Sequence, residues 1–242
     1  MSRMTTPATA RLARLTEPID GSWLALYRIG LGASLLWQVW KFFSTDLIRS
    51  FYIEPTHHFT WFGFGFVRPW PEAGMYLHFS VMAVAASCVI VGFHYRLASF
   101  VYSLGMTWLF LIDQCWYLNH YYLICLLSFV AVFLPANRQW SIDCRLNPQL
   151  RSSQVPCWSL WLMRFQLGIP YLFAGIAKMN PDWLVGEPLR VWMAAITDFP
   201  LIGQYFTRDW CIQLFCWGGM LLDLFVVPLL LWRRTRLVTL LI

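Results

Sequence analysis

Tyr171-Leu-Phe-Ala-Gly-Ile-Ala-Lys-Met-Asn-Pro-Asp-Trp183 puts an amine, Lys178, at the end of a long apolar stretch and just before a helix-ending Asn180-Pro181. The chain has two lysines, Lys41 and Lys178, against sixteen arginines. A lysine is the basic side chain that burial can bring to neutrality, which an arginine is not. The bland reading of Lys178 is a snorkelling residue at a helix C-terminus. The functional reading is a general base: desolvation favours the free amine, while the helix dipole opposes it, so the site must be dry or hold another cation. Tyr117-Leu-Asn-His-Tyr-Tyr122 is the second candidate. Its Asn119 and His120 suit a ligand oxygen or a developing oxyanion, and the plainer reading is a hydrogen-bonded histidine among aromatics. The third is the aromatic run from His57 to Trp70, read as an interfacial belt and, functionally, as a lid over an apolar ligand. His57 and His58 lack a carboxylate or cysteine in helical spacing, so no metal site is expected.

The elements that must hold these residues follow from composition. The chain is 59% apolar, 18% aromatic and 12% charged, against roughly a quarter charged in soluble domains. Several runs reach the ~20 residues that cross a bilayer, and the ~10-residue alternating segments of a barrel are absent. The class expected is an all-α, polytopic membrane helix bundle of six to seven spans. They are placed at 22–43, 73–93, 97–112, 118–134, 158–179 and 210–232, with a seventh starting at Arg236. Asp20-Gly-Ser22 supplies a cap for the first. The fifth is expected to bend near Gly168 and Pro170. An interfacial helix over 183–196, anchored by Trp183 and Trp192, lies in the last long connection. Residues 1–21 form a polar tail and 22–242 one transmembrane domain, expected to be cut within its seventh span. No removable signal peptide is read at the N-terminus.

The net charge of +6 is not a nucleic-acid signal, because the arginines fall in the gaps between apolar runs. With the N-terminus inside, Arg3, Arg11, Arg14, Arg96, Arg138, Arg145, Arg151, Arg233, Arg234 and Arg236 lie inside, ten in all. Lys41, Arg49, Arg68, Lys178, Arg190 and Arg208 lie outside. Whichever sign is right, Asp113, Asn119, His120, Lys178 and the 57–70 segment share one membrane face. The seven cysteines form no C-x-x-C, and no obligatory disulfide or zinc site is expected. Arg28, Arg164 and Asp223 fall inside spans. They are expected to form structural ion pairs, Asp223 with either arginine, because an unpaired charge there is prohibitive.

At these residues the sequence resembles the vitamin K-dependent gamma-carboxylase family, and more broadly the horizontally transferred transmembrane domain that family shares with bacterial relatives. The resemblance runs through Leu26-Tyr-Arg-Ile-Gly30, Phe51-Tyr-Ile-Glu-Pro55, Asn119-His120-Tyr-Tyr122, Pro135 to Asp143, Val155-Pro-Cys-Trp158, Tyr171 to Gly186 and Gly218-Gly-Met-Leu-Leu-Asp223. Its most specific string is A-G-x-x-K-x-x-x-D-W-x-x-G, Ala174 to Gly186.

The resemblance implies an integral, multi-pass membrane enzyme of a bacterial inner membrane or the endoplasmic reticulum. The lysine matching Lys178 would deprotonate vitamin K hydroquinone. The anion would react with oxygen to give a strongly basic alkoxide, which removes a γ-hydrogen from a glutamate. The carbanion would then capture carbon dioxide, leaving γ-carboxyglutamate and vitamin K epoxide. The histidine matching His120 would support the quinone chemistry. Asn119, Tyr121, Asp182 and Trp183 are the expected substrate contacts. The partners implied are membrane lipid and a glutamate-containing protein or peptide, with no nucleic acid. The sequence departs from the family in having Ala177-Lys178 where many members have two lysines, and Asn180-Pro181 for an acidic residue and alanine. The family's β-rich portion, which binds the propeptide, is not in this sequence. Two other expectations stand beside this one: a quinol-oxidising or epoxidising relative that does not carboxylate protein, and a non-catalytic membrane scaffold.

Overall fold

In the computed structural model, residues 14–241 are described. The expectations on Arg3, Arg11 and most of the polar tail therefore lie outside the described residues. The chain forms two compact units, divided between Trp161 and Leu162.

In the first unit, strand β1 (Pro18–Asp20) leads into helix α1 (Ser22–Ser44). The first helix is capped within Asp20-Gly-Ser22, as expected. Gly21 is the N-cap, and Asp20 accepts from the Ser22 backbone N–H at 3.1 Å and from its hydroxyl at 2.5 Å. Those bonds hold the Asp20 carboxyl below the usual carboxylate range. Helices α2 (Glu72–Val91), α3 (Tyr95–Ile112) and α4 (Asn119–Phe133) follow, each packing on its sequence neighbour. Leu35, Val39, Phe42, Phe79, Tyr102 and Met106 are at the heart of the core between them. After α1 the chain makes a short π-helix over Arg49–Ile53, an element often found at functional sites. The short helix α5 (Ile142–Leu146) and strand β2 (Gln154–Pro156) complete the unit, β2 pairing antiparallel with β1. That strand pair, which hydropathy does not foreshadow, ties the lead into α1 to the loop between α4 and the next long helix.

The turn between α2 and α3 shows why Arg28 is buried. Gly92 ends α2 in the left-handed region at φ 67°, and Phe93 N–H donates to Cys88 O at 2.9 Å, as in a Schellman cap. A Cβ at Gly92 would come within 2.6 Å of an Arg28 guanidinium nitrogen. Arg28, fully buried, donates from Nη1 to Val89 O and Ile90 O at 2.9 and 2.6 Å. Its Nε reaches Ala136 O at 3.1 Å and its Nη2 reaches Trp140 O at 2.7 Å. Arg28 is thus not held by an ion pair with Asp223. Its charge is met by carbonyl dipoles, two of them at the C-terminal end of α2, where the helix dipole favours a cation. Asp143 completes the joint, accepting from the backbone of His94 and Tyr95 at 2.8 and 3.1 Å.

Helix α6 (Cys157–Ala177) begins in the first unit and continues in the second, with Pro170 inside it. The second unit goes on through α7 (Pro181–Leu184), α8 (Glu187–Ala194), α9 (Asp209–Leu231) and α10 (Arg236–Leu241). The expected interfacial helix is two short helices, because Gly186 takes φ 89° between them. Met193, Phe206, Cys211, Ile212 and Cys216 form a small buried cluster here.

Four described helices, α2, α3, α6 and α9, are long and apolar enough to cross a membrane. A membrane helix bundle is supported, and the count of six to seven spans is not. α1 has the length, but Arg28, Gln38 and three tryptophans, Trp23, Trp37 and Trp40, lower its hydropathy. α4 is apolar but only 15 residues long. α10 is six residues within the described range.

Candidate functional site

Lys178 lies one residue past the end of α6, and its backbone N–H still closes the last turn on Ala174 O at 3.2 Å. Asn180 then works in both directions. Its amide donates to Ala177 O at 2.7 Å, and its Oδ1 accepts from Trp183 N–H at 2.9 Å, with Pro181 in the first turn of α7. One residue therefore satisfies an orphan carbonyl of the helix before it and caps the helix after it. The Asn180-Pro181 pair is the sharp turn that directly follows Lys178 where it meets α9.

Two glycines bring α6 close to α9. A Cβ on Gly175 would meet Leu224 Cδ2 and Cγ at 2.7 Å and its backbone nitrogen at 3.0 Å, and one on Gly168 would meet Val227 at 3.2 Å. Small residues seven apart form a seam that allows close approach. The next turn beyond Gly175 places the Lys178 ammonium on Asp223, to whose Oδ2 it donates. This corrects the pairing expected for Asp223, whose partner is the lysine and not Arg28. The two side chains keep 23% and 16% of their surface uncovered, so the pair is largely removed from water. Trp183 closes one side, its ring centroid 5.1 Å from the ammonium, within cation–π range. Trp183 is itself fixed, donating from its indole to Cys216 O at 2.9 Å and packing on the small core of the second unit. It is therefore part of the protein wall around Lys178, and of the two expected anchors only Trp192 is well exposed. Asp182 is exposed in the first turn of α7.

The first unit holds the other expected residues. Asn119 and His120 open α4 and are exposed, and the His120 ring lies 4.5 Å from that of Tyr121. Tyr121 is half-buried. With Phe42, Tyr52, Asp113 and Trp116 it lines a cavity of ≈ 20 Å³, room for about one water. The 57–70 segment packs over this end of α3. Phe59 O accepts from Gln114 N–H at 2.8 Å, and the Trp61 indole donates to Phe110 O at 3.1 Å. Just before those two ties, His58 Nδ1 stands 3.2 Å from Asp113 Oδ2. The helical-spacing criterion missed this carboxylate because it lies 55 residues on. Only the packing of the loop on α3 brings the two together.

A helical membrane protein with a lysine at a helix end that is paired with a carboxylate, mostly covered and walled by an indole is the class defined by this geometry. The chain matches the HTTM domain over residues 16–242 and belongs to that family, whose domain is found in vitamin K-dependent gamma-carboxylase and related proteins. The family is associated with vitamin K-dependent carboxylase and epoxidase-like membrane proteins. No solved structure matches the chain.

Proposed function

We propose that this chain is a membrane enzyme that couples oxidation of vitamin K hydroquinone to its epoxide with carboxylation of glutamate in a protein or peptide. The observation that carries the reading is Lys178 itself: an amine within the family's most specific string, held on Asp223 beneath Trp183 at the joint of two helices. The surroundings suit an apolar, planar reductant. Phe173, Ile176 and Phe225 leave about half or more of their surface uncovered by protein, so a lipid-borne ring has an apolar approach. The hydroquinone, with oxygen and carbon dioxide, supplies the acidic hydroxyl and the oxidative chemistry.

The chain's residues do the rest. Lys178 reaches its basic form by handing a proton across its hydrogen bond to Asp223, a transfer that trades a desolvated ion pair for a neutral one. The amine then accepts a hydroxyl proton. Trp183 keeps water off the amine, which a strongly basic intermediate requires. Asn119 and His120 are proposed to orient ligand oxygens, with Tyr121 and Asp182 as further substrate contacts.

The test uses the full-length protein in lipid. Reduced naphthoquinone should be converted to epoxide, and Lys178→Ala should abolish the conversion with the fold intact. Incorporation of labelled carbon dioxide into a glutamate peptide separates the carboxylase from a relative that only oxidises quinol. Absence of epoxide with the unaltered protein would overturn the reading in favour of a scaffold.

A further inference from the structure

We propose that His58 and Asp113 form a second acid–base centre, in which His58 accepts a proton from the hydroxyl of a planar aromatic alcohol. Asp113 is 6% exposed, ends α3, and accepts from Cys115 N–H at 2.9 Å through Oδ1. Its other oxygen faces His58 Nδ1. A carboxylate only accepts, so Nδ1 carries a proton, and in the neutral imidazole the lone pair lies on Nε2. His58 Nε2 has no hydrogen-bond partner among the described residues. A carboxylate-oriented imidazole with a free Nε2 is the arrangement of a general base, with the carboxylate fixing tautomer and orientation.

The loop geometry shows that the imidazole is placed, not incidental. Phe59 and Trp61, on the residues just after it, are tied to Gln114 and Phe110. The side chain keeps only 13% of its surface uncovered, enough for one ligand atom and too little for bulk hydration.

The ligand class follows from the rim. Trp61 stacks on Phe110 with centroids 5.3 Å apart, and Phe51 stacks on Trp116 at 3.7 Å. Phe59, Phe62, Trp116 and Tyr117, all within four residues of His58 or Asp113 along the chain, remain exposed. Uncovered aromatic faces next to a base suit a flat ring bearing a hydroxyl. The cavity behind Asp113 has space for a water and not for a ring, so the ring binds at the rim. In the step, the ligand O–H bond breaks and its proton bonds to Nε2. The imidazolium is then stabilised by Asp113 through Nδ1–H. His58 is the catalytic residue and Asp113 a positioning residue.

That the physiological ligand is a hydroquinone rests on the proposed function; the reactive imidazole does not. The test reads no turnover. Full-length protein in lipid nanodiscs, without oxygen, is treated with diethyl pyrocarbonate, and acylation of each histidine is followed by mass spectrometry. 1,4-Dihydroxynaphthalene should slow acylation of His58 at least about tenfold, the worth of one good hydrogen bond, and its dimethyl ether should not. The neighbouring His57, bonded to Thr56 Oγ1 at 3.0 Å, should react equally in every condition. Asp113→Asn should remove the difference between diol and ether. Should that variant fail to fold, the ¹⁵N spectrum of the unaltered protein decides: protonated Nδ1 supports the proposal, and protonated Nε2 overturns it. Equal protection by diol and ether also overturns it. Loss of epoxide formation with diol-specific protection intact would sink only the Lys178 reading.

Discussion

Lys178 and Asp223 each have a variant that separates holding the bundle from doing chemistry. Asp223→Ala leaves a desolvated ammonium without its carboxylate, a loss of the order of 3–5 kcal/mol for a buried pair, discounted here because both groups are partly exposed. The folded yield after size exclusion should fall. Asp223→Asn keeps a hydrogen-bond acceptor for the ammonium and removes the proton acceptor. It should fold and lose epoxide formation by at least ~100-fold, the range of general acid–base contributions. Full activity in this variant would show that the carboxylate only anchors the lysine. Arg28 is the contrasting case, a cation with no carboxylate in its shell of hydrogen bonds. Arg28→Ala leaves the Ile90, Ala136 and Trp140 carbonyls without their side-chain donor, each costing about 1–3 kcal/mol if left unsatisfied, while Val89 O keeps the Gly92 N–H at 3.2 Å. A lower melting temperature in detergent is expected, with no selective effect on quinol binding.

At the level of elements, the α6–α9 seam decides whether the lysine meets its partner. A methyl group on Gly175 would collide with Leu224, including its backbone nitrogen, which cannot swing away as a side-chain tip can. Gly175→Ala should therefore splay the two helices and separate Lys178 from Asp223. It should lower activity more than folded yield, measured side by side. Gly218 and Gly219, in the middle of α9, have nothing within 4 Å of an added Cβ. Alanine at either should leave folded yield unchanged or raise it, by up to about 1 kcal/mol from helix propensity. If Gly175→Ala behaved like these two, the glycine seam would not be what sets the pair.

For the molecule as a whole, the solvent is part of the structure. In the most apolar windows of α6 and α9, only 11% of residues are buried within the chain, leaving side chains such as Phe165, Phe173 and Leu221 for lipid to cover. Leu221→Arg should reduce membrane insertion by about 2.5–3.5 kcal/mol, the cost of arginine near a span centre. The fraction resisting carbonate extraction measures it, with Leu221→Phe as the neutral control. Insertion unaffected by the arginine would place that face against protein or water.

What residue order alone determined was the class and the positions of the long helices, though not which of them span, because covering an apolar run is a local demand that composition answers. The observed helices start and stop within about two residues of the expected limits for 22–43, 73–93, 97–112, 118–134, 158–179 and 210–232. The string from Ala174 to Gly186 marks Lys178 in the sequence, since a lysine that ends an apolar helix just before Asn-Pro is unusual by type and place. Partner choice was not legible. Depth along a helix allowed Asp223 an arginine, and only the approach at Gly175 and the turn at Asn180 set it on Lys178. Arg28 showed its charge in the sequence but not its carbonyl cradle, because backbone acceptors have no residue type to read. Asp113 and His58 belong to the same class of contact. Their meeting depends on a loop folding back across 55 residues, and long-range closure of that kind is decided by packing, not by spacing along the chain.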